Sequence, residues 1–250
     1  MNEASHTPDP LLRTQRGSSA EVSEIFSSLQ GEGPYLGIKQ VFVRFGRCNM
    51  HCNYCDELEK MKEENFTRLS LAQVLHEIGH LEKEKGPHHS VSLTGGEPLF
   101  YTPFLENFLP KLKERRYGTY LETNGTLPKE LDRVIRFCDI IAMDLKPASS
   151  TGDRNFEREH EEFLKIAARK DVFVKLVVTP DTRLEEVRRC VDIVESVDPH
   201  IPFIFQPLSE AFGISIKALG LIETSFMREA EKYLFDVRVI AQMHKIWGVR

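Results

Sequence analysis

Along the chain, short apolar runs alternate with amphipathic stretches in a regular order. Residues 40–45 (QVFVRF) form a compact apolar run of the kind found in buried strands. Residues 69–85 carry Leu71, Val74, Leu75, Ile78 and Leu81 at helical spacing, with Ser70 as a candidate cap and Gly86-Pro87 as the stop. The same reading predicts strands at 90–93, 119–122, 140–143, 172–178, 203–205 and 237–240. It predicts helices at 102–116, 128–137, 154–169, 183–197 and 215–234. Ahead of them, residues 21–29 (EVSEIFSSL) have strand character and run into the loop Gln30-Gly31-Glu32-Gly33-Pro34. Residues 1–20 are polar and aperiodic and are expected to be a disordered lead, with 21–250 as one domain.

Strand and helix alternate about six times after residue 40. This pattern predicts an α/β barrel or an open sheet of parallel strands joined by helices. Right-handed crossovers place every parallel strand's C-terminus on one edge, where such folds carry their chemistry. Five polar clusters fall just beyond predicted strands: the cysteine loop after residue 45, Thr94 to Pro98, Glu122 to Asn124, Asp144 to Lys146, and Gln206-Pro207. One such cluster is an ordinary turn, whereas five on one edge describe a site.

Composition narrows the class. The 250 residues are 41% hydrophobic and 28% charged, as in an ordinary globular protein. A net charge of −5 gives no support for a nucleic-acid surface. No apolar run approaches the ~20 residues of a membrane span, and no apolar signal region opens the chain. The expectation is a cytoplasmic protein, in which free thiols survive. Of five cysteines, Cys48, Cys52 and Cys55 stand together in RCNMHCNYC, three and then two residues apart. Three soft thiolates on one loop can converge on a metal centre and leave a coordination position open. On spacing alone a structural zinc site, with His51 or a distant residue as fourth ligand, stays open. Cys138 and Cys190 fall in predicted helices and read as buried or spare thiols, and His88-His89 as a solvated turn.

The three-then-two cysteine spacing, with Tyr54 before the last cysteine, resembles the cluster loop of the radical S-adenosylmethionine (SAM) superfamily. Thr94-Gly95-Gly96-Glu97-Pro98 resembles that superfamily's GGEP segment. The resemblance implies a partial, open β/α barrel. It also implies a 4Fe-4S cluster on Cys48, Cys52 and Cys55, with SAM chelating the fourth iron. A sharper match comes from EIFSSLQGEG, VFVRFGRCN, ETNGT, DLKP, FQPLS and QMHKIWGVR. Together they resemble the 7-carboxy-7-deazaguanine synthase family, from about residue 22 to the chain end. That family contracts the ring of 6-carboxy-5,6,7,8-tetrahydropterin on the route to queuosine and archaeosine, after hydrogen abstraction from C6, with loss of ammonia and regeneration of SAM.

Carried over residue by residue, the resemblance puts Leu29, Gln30, Gly31, Arg44 and Thr94 on the pterin. The C-terminal tail folds back so that Arg250 adds its terminal carboxylate. Tyr54, Asp56, Gly96, Asp144, Lys146, Gln206, Pro207, Leu208 and Ser209 fall around SAM. It further implies a homodimer and an electron donor of the flavodoxin or ferredoxin kind. One position departs from the pattern. The family usually has threonine after Cys-Asp, where it binds Mg²⁺, and this chain has Glu57. A glutamate offers hard oxygens to Mg²⁺, or points outward and the ion is lost. Two other readings share parts of these features: a radical SAM enzyme that activates a glycyl-radical partner, which needs no LQGEG segment, and a zinc-stabilised binding module.

Overall fold

The computed structural model describes residues 17–55, 62–210 and 213–249. Eleven strands are labelled in chain order: β1 (Ser19–Leu29), β2 (Lys39–Phe45), β3 (Thr67–Ser70), β4 (Ser90–Gly95), β5 (Thr119–Thr123), β6 (Ile140–Leu145), β7 (Asp171–Val178), β8 (Phe203–Pro207), β9 (Ser209–Glu210), β10 (Gly213–Ile214) and β11 (Val237–Val239). Nine of them form one sheet in the order β11-β8-β7-β6-β5-β4-β2-β1-β3. Neighbours from β2 to β11 pair in parallel, and β1 runs antiparallel to both β2 and β3. The edges at β11 and β3 do not meet, so the sheet is an open barrel, as expected. β9 and β10 form a separate small hairpin.

Helices α1 (Leu71–Lys85), α2 (Thr102–Glu114), α3 (Pro128–Val134), α4 (Ala148–Thr151), α5 (Glu157–Ala167), α6 (Leu184–Val197), α7 (Ile216–Leu221), α8 (Met227–Ala230) and α9 (Met243–Trp247) complete the chain. Alternation along each strand sorts the two faces. Val41, Val43 and Phe45 of β2 join Leu121, Ile141, Met143, Val174, Leu176, Phe203 and Phe205 in a core. Phe104, Phe108, Phe163 and Val191 of the helices complete it from outside.

The intervening residues face the concave side, in two layers. Tyr120, Ile140, Ala142, Phe173 and Ile204 form an apolar floor, closed by Tyr35 and Ile240. Two residues further along those strands stand Glu122, Asp144, Lys175 and Gln206. The polar clusters thus sit above a dry floor.

Several elements differ from the pattern-based reading. β1 starts at Ser19, so Ser19 and Ala20 belong to the sheet and pair with Ser70 and Leu69, not to a disordered lead. Residues 1–16 lie outside the described residues. Helix α1 begins after Ser70, whose hydroxyl accepts from Gln73 N at 3.3 Å in a capping box. Of the expected span 69–85, only Leu69 and the cap Ser70 itself lie in β3. The stretch 215–234 is helical from Ile216 to Ala230, with a π turn over Ile222–Phe226 joining α7 to α8. Helix α5 starts at Glu157 rather than 154, and α4 and α9 were not foreseen.

Candidate active site

The cysteine loop follows β2 directly and is pinned at both ends. Gly96 N donates to Phe45 O at 3.0 Å and Glu97 N to Arg47 O at 2.7 Å, while Asn53 N donates to Thr151 O at 2.9 Å. The paired glycines make this approach possible. Gly95 has φ +116°, and a Cβ on Gly96 would lie 2.1 Å from Arg47 O. Their first role is therefore to let the cysteine loop lie against β4.

Glu97 is fully buried and accepts from Leu99 N at 3.0 Å, Thr123 Oγ1 at 2.9 Å and Asn124 N at 2.8 Å. Burial outweighs those bonds and pushes its carboxyl up to about 7. Glu97 thereby couples the GGEP turn to the loop after β5.

Cys48, Cys52 and Cys55, none of them in a disulfide, are half-buried thiols on the wall of one cavity of about 220 Å³. Among the described residues no three His, Cys, Asp or Glu side chains close around a single ion, and the thiols line the wall instead. Burial pushes the Cys48 thiol up to about 11, with the Glu97 charge adding to it. Burial also raises Cys52, and the Lys146 ammonium opposes that rise. Thiols held up in this way stay protonated at neutral pH until a metal takes the proton's place.

Behind Cys52, a buried charge relay crosses the cavity. Lys146 Nζ donates to Tyr54 Oη at 3.2 Å and to Asp144 Oδ2 at 2.9 Å. It also lies 5.3 Å from the centre of the Tyr54 ring. Asp144 Oδ1 is 3.3 Å from Lys175 Nζ, which also pairs with Glu32, and Gln242 Nε2 donates to Glu32 Oε1 at 2.8 Å. Desolvation alone would raise both carboxyls, but Lys146 and Lys175 hold Asp144, and Lys175 with the Gln242 hydrogen bond holds Glu32, below the usual range. Burial likewise pushes the Tyr54 phenol up to about 12. Beyond this relay, Gln206 Oε1 is buried with no hydrogen-bond partner among the described residues.

The loop after β1 leaves that strand beside Lys39, at the end of β2 remote from the cysteines. It nevertheless folds into the barrel and lines the same cavity, which the edge rule alone does not foresee. Gln30 is 3% exposed, and its amide is engaged within the protein. Nε2 donates to Gln40 Oε1 at 3.0 Å and Glu122 Oε1 at 2.9 Å, and Oε1 accepts from Glu32 N at 3.0 Å. Glu122 also accepts from Ser92 Oγ at 3.1 Å and Thr94 Oγ1 at 2.8 Å. Arg44 lies 5.6 Å above the Phe26 ring and 3.9 Å from Glu24. Gly31 receives the chain end: Met243 N donates to Gly31 O at 2.9 Å, and a Cβ there would lie 2.5 Å from His244.

The structure thus brings Leu29, Gln30, Gly31, Arg44, Cys48, Cys52, Tyr54, Cys55, Thr94, Gly96, Asp144, Lys146, Gln206 and Leu208 around one cavity. Pro207 and Ser209 flank this set outside the lining, and Asp56, Glu57 and Arg250 lie outside the described residues. Sequence reasoning missed Glu32, Lys175, Gln242 and His244. The available signal for Lys175 was a lone charge inside the apolar run VFVKLVV.

Comparisons with known proteins agree with this geometry. The Radical SAM superfamily model matches residues 42–191. The 7-carboxy-7-deazaguanine synthase of Geobacter sulfurreducens is 38% identical over 250 residues, covering 92% of this chain and 97% of its own. That of Methanothermobacter thermautotrophicus is 36% identical over 256 residues, covering 92% and 98%. The crystal structure of QueE from Escherichia coli shares the fold, with TM-score 0.59 at 18% identity over 95% of this chain and 99% of that one. So does a structure of TYW1 with a lysine-pyruvate adduct bound, with TM-score 0.53 at 16% identity over 88% and 91%. By its matched relatives and its cysteine-lined barrel, the chain belongs to the 7-carboxy-7-deazaguanine synthase family of the radical SAM superfamily.

Proposed function

We propose that this protein converts 6-carboxy-5,6,7,8-tetrahydropterin to 7-carboxy-7-deazaguanine with loss of ammonia, in deazapurine biosynthesis. The observation that carries this reading is the shared cavity. Three thiols and the Gln30–Glu32 loop, which start from opposite ends of β2, line the same space.

The residues present fit a 4Fe-4S cluster and SAM. Three soft donors suit iron. Gly95 and Gly96 line the cavity beside them, and Gln206 Oε1 is a buried acceptor awaiting a donor. When bound, the cluster supplies the one-electron cleavage of SAM that starts radical chemistry on the substrate.

The chain's own residues then divide the work. Cys48, Cys52 and Cys55 hold the cluster. Tyr54, Asp56, Gly96, Asp144, Lys146 and Gln206 to Ser209 surround SAM. Asp144 holds the Lys146 ammonium by its charge, so the lysine keeps a fixed direction beside the cysteines. Arg44 supplies a fork of donors for the pterin carboxylate, with Thr94, Leu29, Gln30 and Gly31 against the ring. Gln30 acts by orienting Glu122, a carboxylate acceptor for ring N–H groups. The α9 tail, extended to Arg250, caps the substrate and keeps water out. Glu57 serves Mg²⁺ with carboxylate oxygen. A homodimer in the cytoplasm, reduced by a flavodoxin or ferredoxin, completes the reading.

The test is anaerobic turnover. Reconstituted protein with SAM, Mg²⁺, a reductant and the carboxypterin is expected to give 7-carboxy-7-deazaguanine by mass. Cys52→Ala abolishes it, and omission of Mg²⁺ lowers it. SAM cleavage without product would reject the substrate. No iron absorbance and no cleavage would reject the radical reading.

A further inference from the structure

Asn124 has no part in the function proposed above, yet its position is over-determined. It is 7% exposed, in the turn after β5. Its N–H donates to Glu97 Oε2 at 2.8 Å, and its carbonyl accepts from His160 Nε2 at 3.1 Å. The side-chain direction follows from donor chemistry. Thr126 N can only donate, so the atom facing it at 3.1 Å is Oδ1, which also accepts from Thr126 Oγ1 at 2.6 Å. Nδ2 is therefore turned the other way, where it donates to Asn49 Oδ1 at 2.8 Å and to Cys48 Sγ at 3.8 Å. Asn49 Nδ2 donates in turn to Thr126 Oγ1 at 2.8 Å, which closes a ring of three side chains beside the sulfur.

The thiol of Cys48 points its own weak donor at Asn49 Oδ1, 4.0 Å away. A metal-bound Cys48 is a thiolate and can only accept. The Asn124 amide then makes a charge-assisted bond to that sulfur. We propose that Asn124 is a positioning residue for the 4Fe-4S cluster, whose amide N–H on Cys48 raises the cluster's reduction potential. Reduction adds negative charge that spreads onto the ligating sulfurs. A donor already aimed at one of them stabilises the reduced form more than the oxidised form. The Lys146 charge acts on both Cys48 and Cys52. This inference rests on the cluster assignment above.

The test is an EPR-monitored redox titration of reconstituted wild-type protein and Asn124→Leu. At a fixed applied potential the variant is expected to show an about tenfold smaller reduced-to-oxidised ratio, equivalent to about 59 mV for one electron. Iron content should be equal in the two. An unchanged midpoint with equal iron overturns the proposal. Should Asn124→Leu hold no iron, the wild type decides. With asparagine labelled at the side-chain amide with ¹⁵N, pulsed EPR of the reduced cluster should show a ¹⁵N coupling. The other nearby amides point elsewhere, Asn49 Nδ2 to Thr126 and Asn53 Nδ2 to Gly152. No coupling overturns the proposal. Wild-type protein that assembles no cluster overturns the functional reading, and this inference with it.

Discussion

The convex and concave faces of the same parallel strands obey opposite rules. On the convex face, Val43, Leu121, Met143, Val174 and Phe205 pack against helices, and any apolar side chain of similar volume satisfies the position. On the concave face, Arg44, Glu122, Asp144, Lys175 and Gln206 hold charges and amides in a space lined by protein. Each needs a named partner. The convex face is a matter of volume, and the concave face a matter of pairing.

The sharpest way to break this contrast is Lys175→Met. It keeps the volume and removes the cation between Glu32 and Asp144. Two buried carboxylates then face each other, which costs about 3–5 kcal/mol. Denaturant titration should show that loss, and SAM binding should weaken with it. Equal stability would mean that the relay is solvated. On the convex face, Phe108→Ala removes a fully buried ring of α2 and costs about 3–5 kcal/mol as well. The comparison predicts unchanged SAM affinity in the folded fraction. Weakened affinity would erase the distinction between the faces.

A third prediction concerns pH, in protein without the cluster. Burial lowers His160 to about 4, and it sits neutral under Asn124. Its contribution is complete above the unfolded value of about 6.5 and is lost as pH falls toward 4, a span of about 3 kcal/mol. Glu97, raised to about 7, acts in the opposite sense. Its contribution is complete below about 4.5 and is lost as pH rises through 7. His160→Gln removes the first effect and leaves the second, so the variant should gain stability relative to wild type as pH drops from 7 to 4.5. Parallel curves would contradict this. The smallest effect belongs to Ser70→Ala, which removes the α1 cap and should lower stability by about 1 kcal/mol without touching turnover.

The same contrast explains what the sequence makes legible. Convex positions announce themselves as apolar runs, so β2 and β4 to β8 and most of the helices that cover them are readable from periodicity. The four residues of β3 (TRLS) are half-exposed and too short to show alternation, and only pairing with β1 makes them a strand. The π turn that joins α7 to α8 is marked by no proline or glycine within it. Within the site, cysteines and glycines are readable because spacing alone encodes them. Lys175 and Glu32 are 143 residues apart, and no local pattern connects them. Asn124 is legible as a member of the polar cluster after β5, but its role is not. Its amide direction depends on Thr126 and Asn49.

An anaerobic crystal structure of reconstituted protein with SAM and the carboxypterin would locate all three groups at once. It should show a cluster on Cys48, Cys52 and Cys55, SAM between Lys146 and Gln206, and the pterin between Arg44 and Glu122, all on the concave face. A pterin bound elsewhere, or a metal closed off by a fourth protein ligand, would contradict the proposed function.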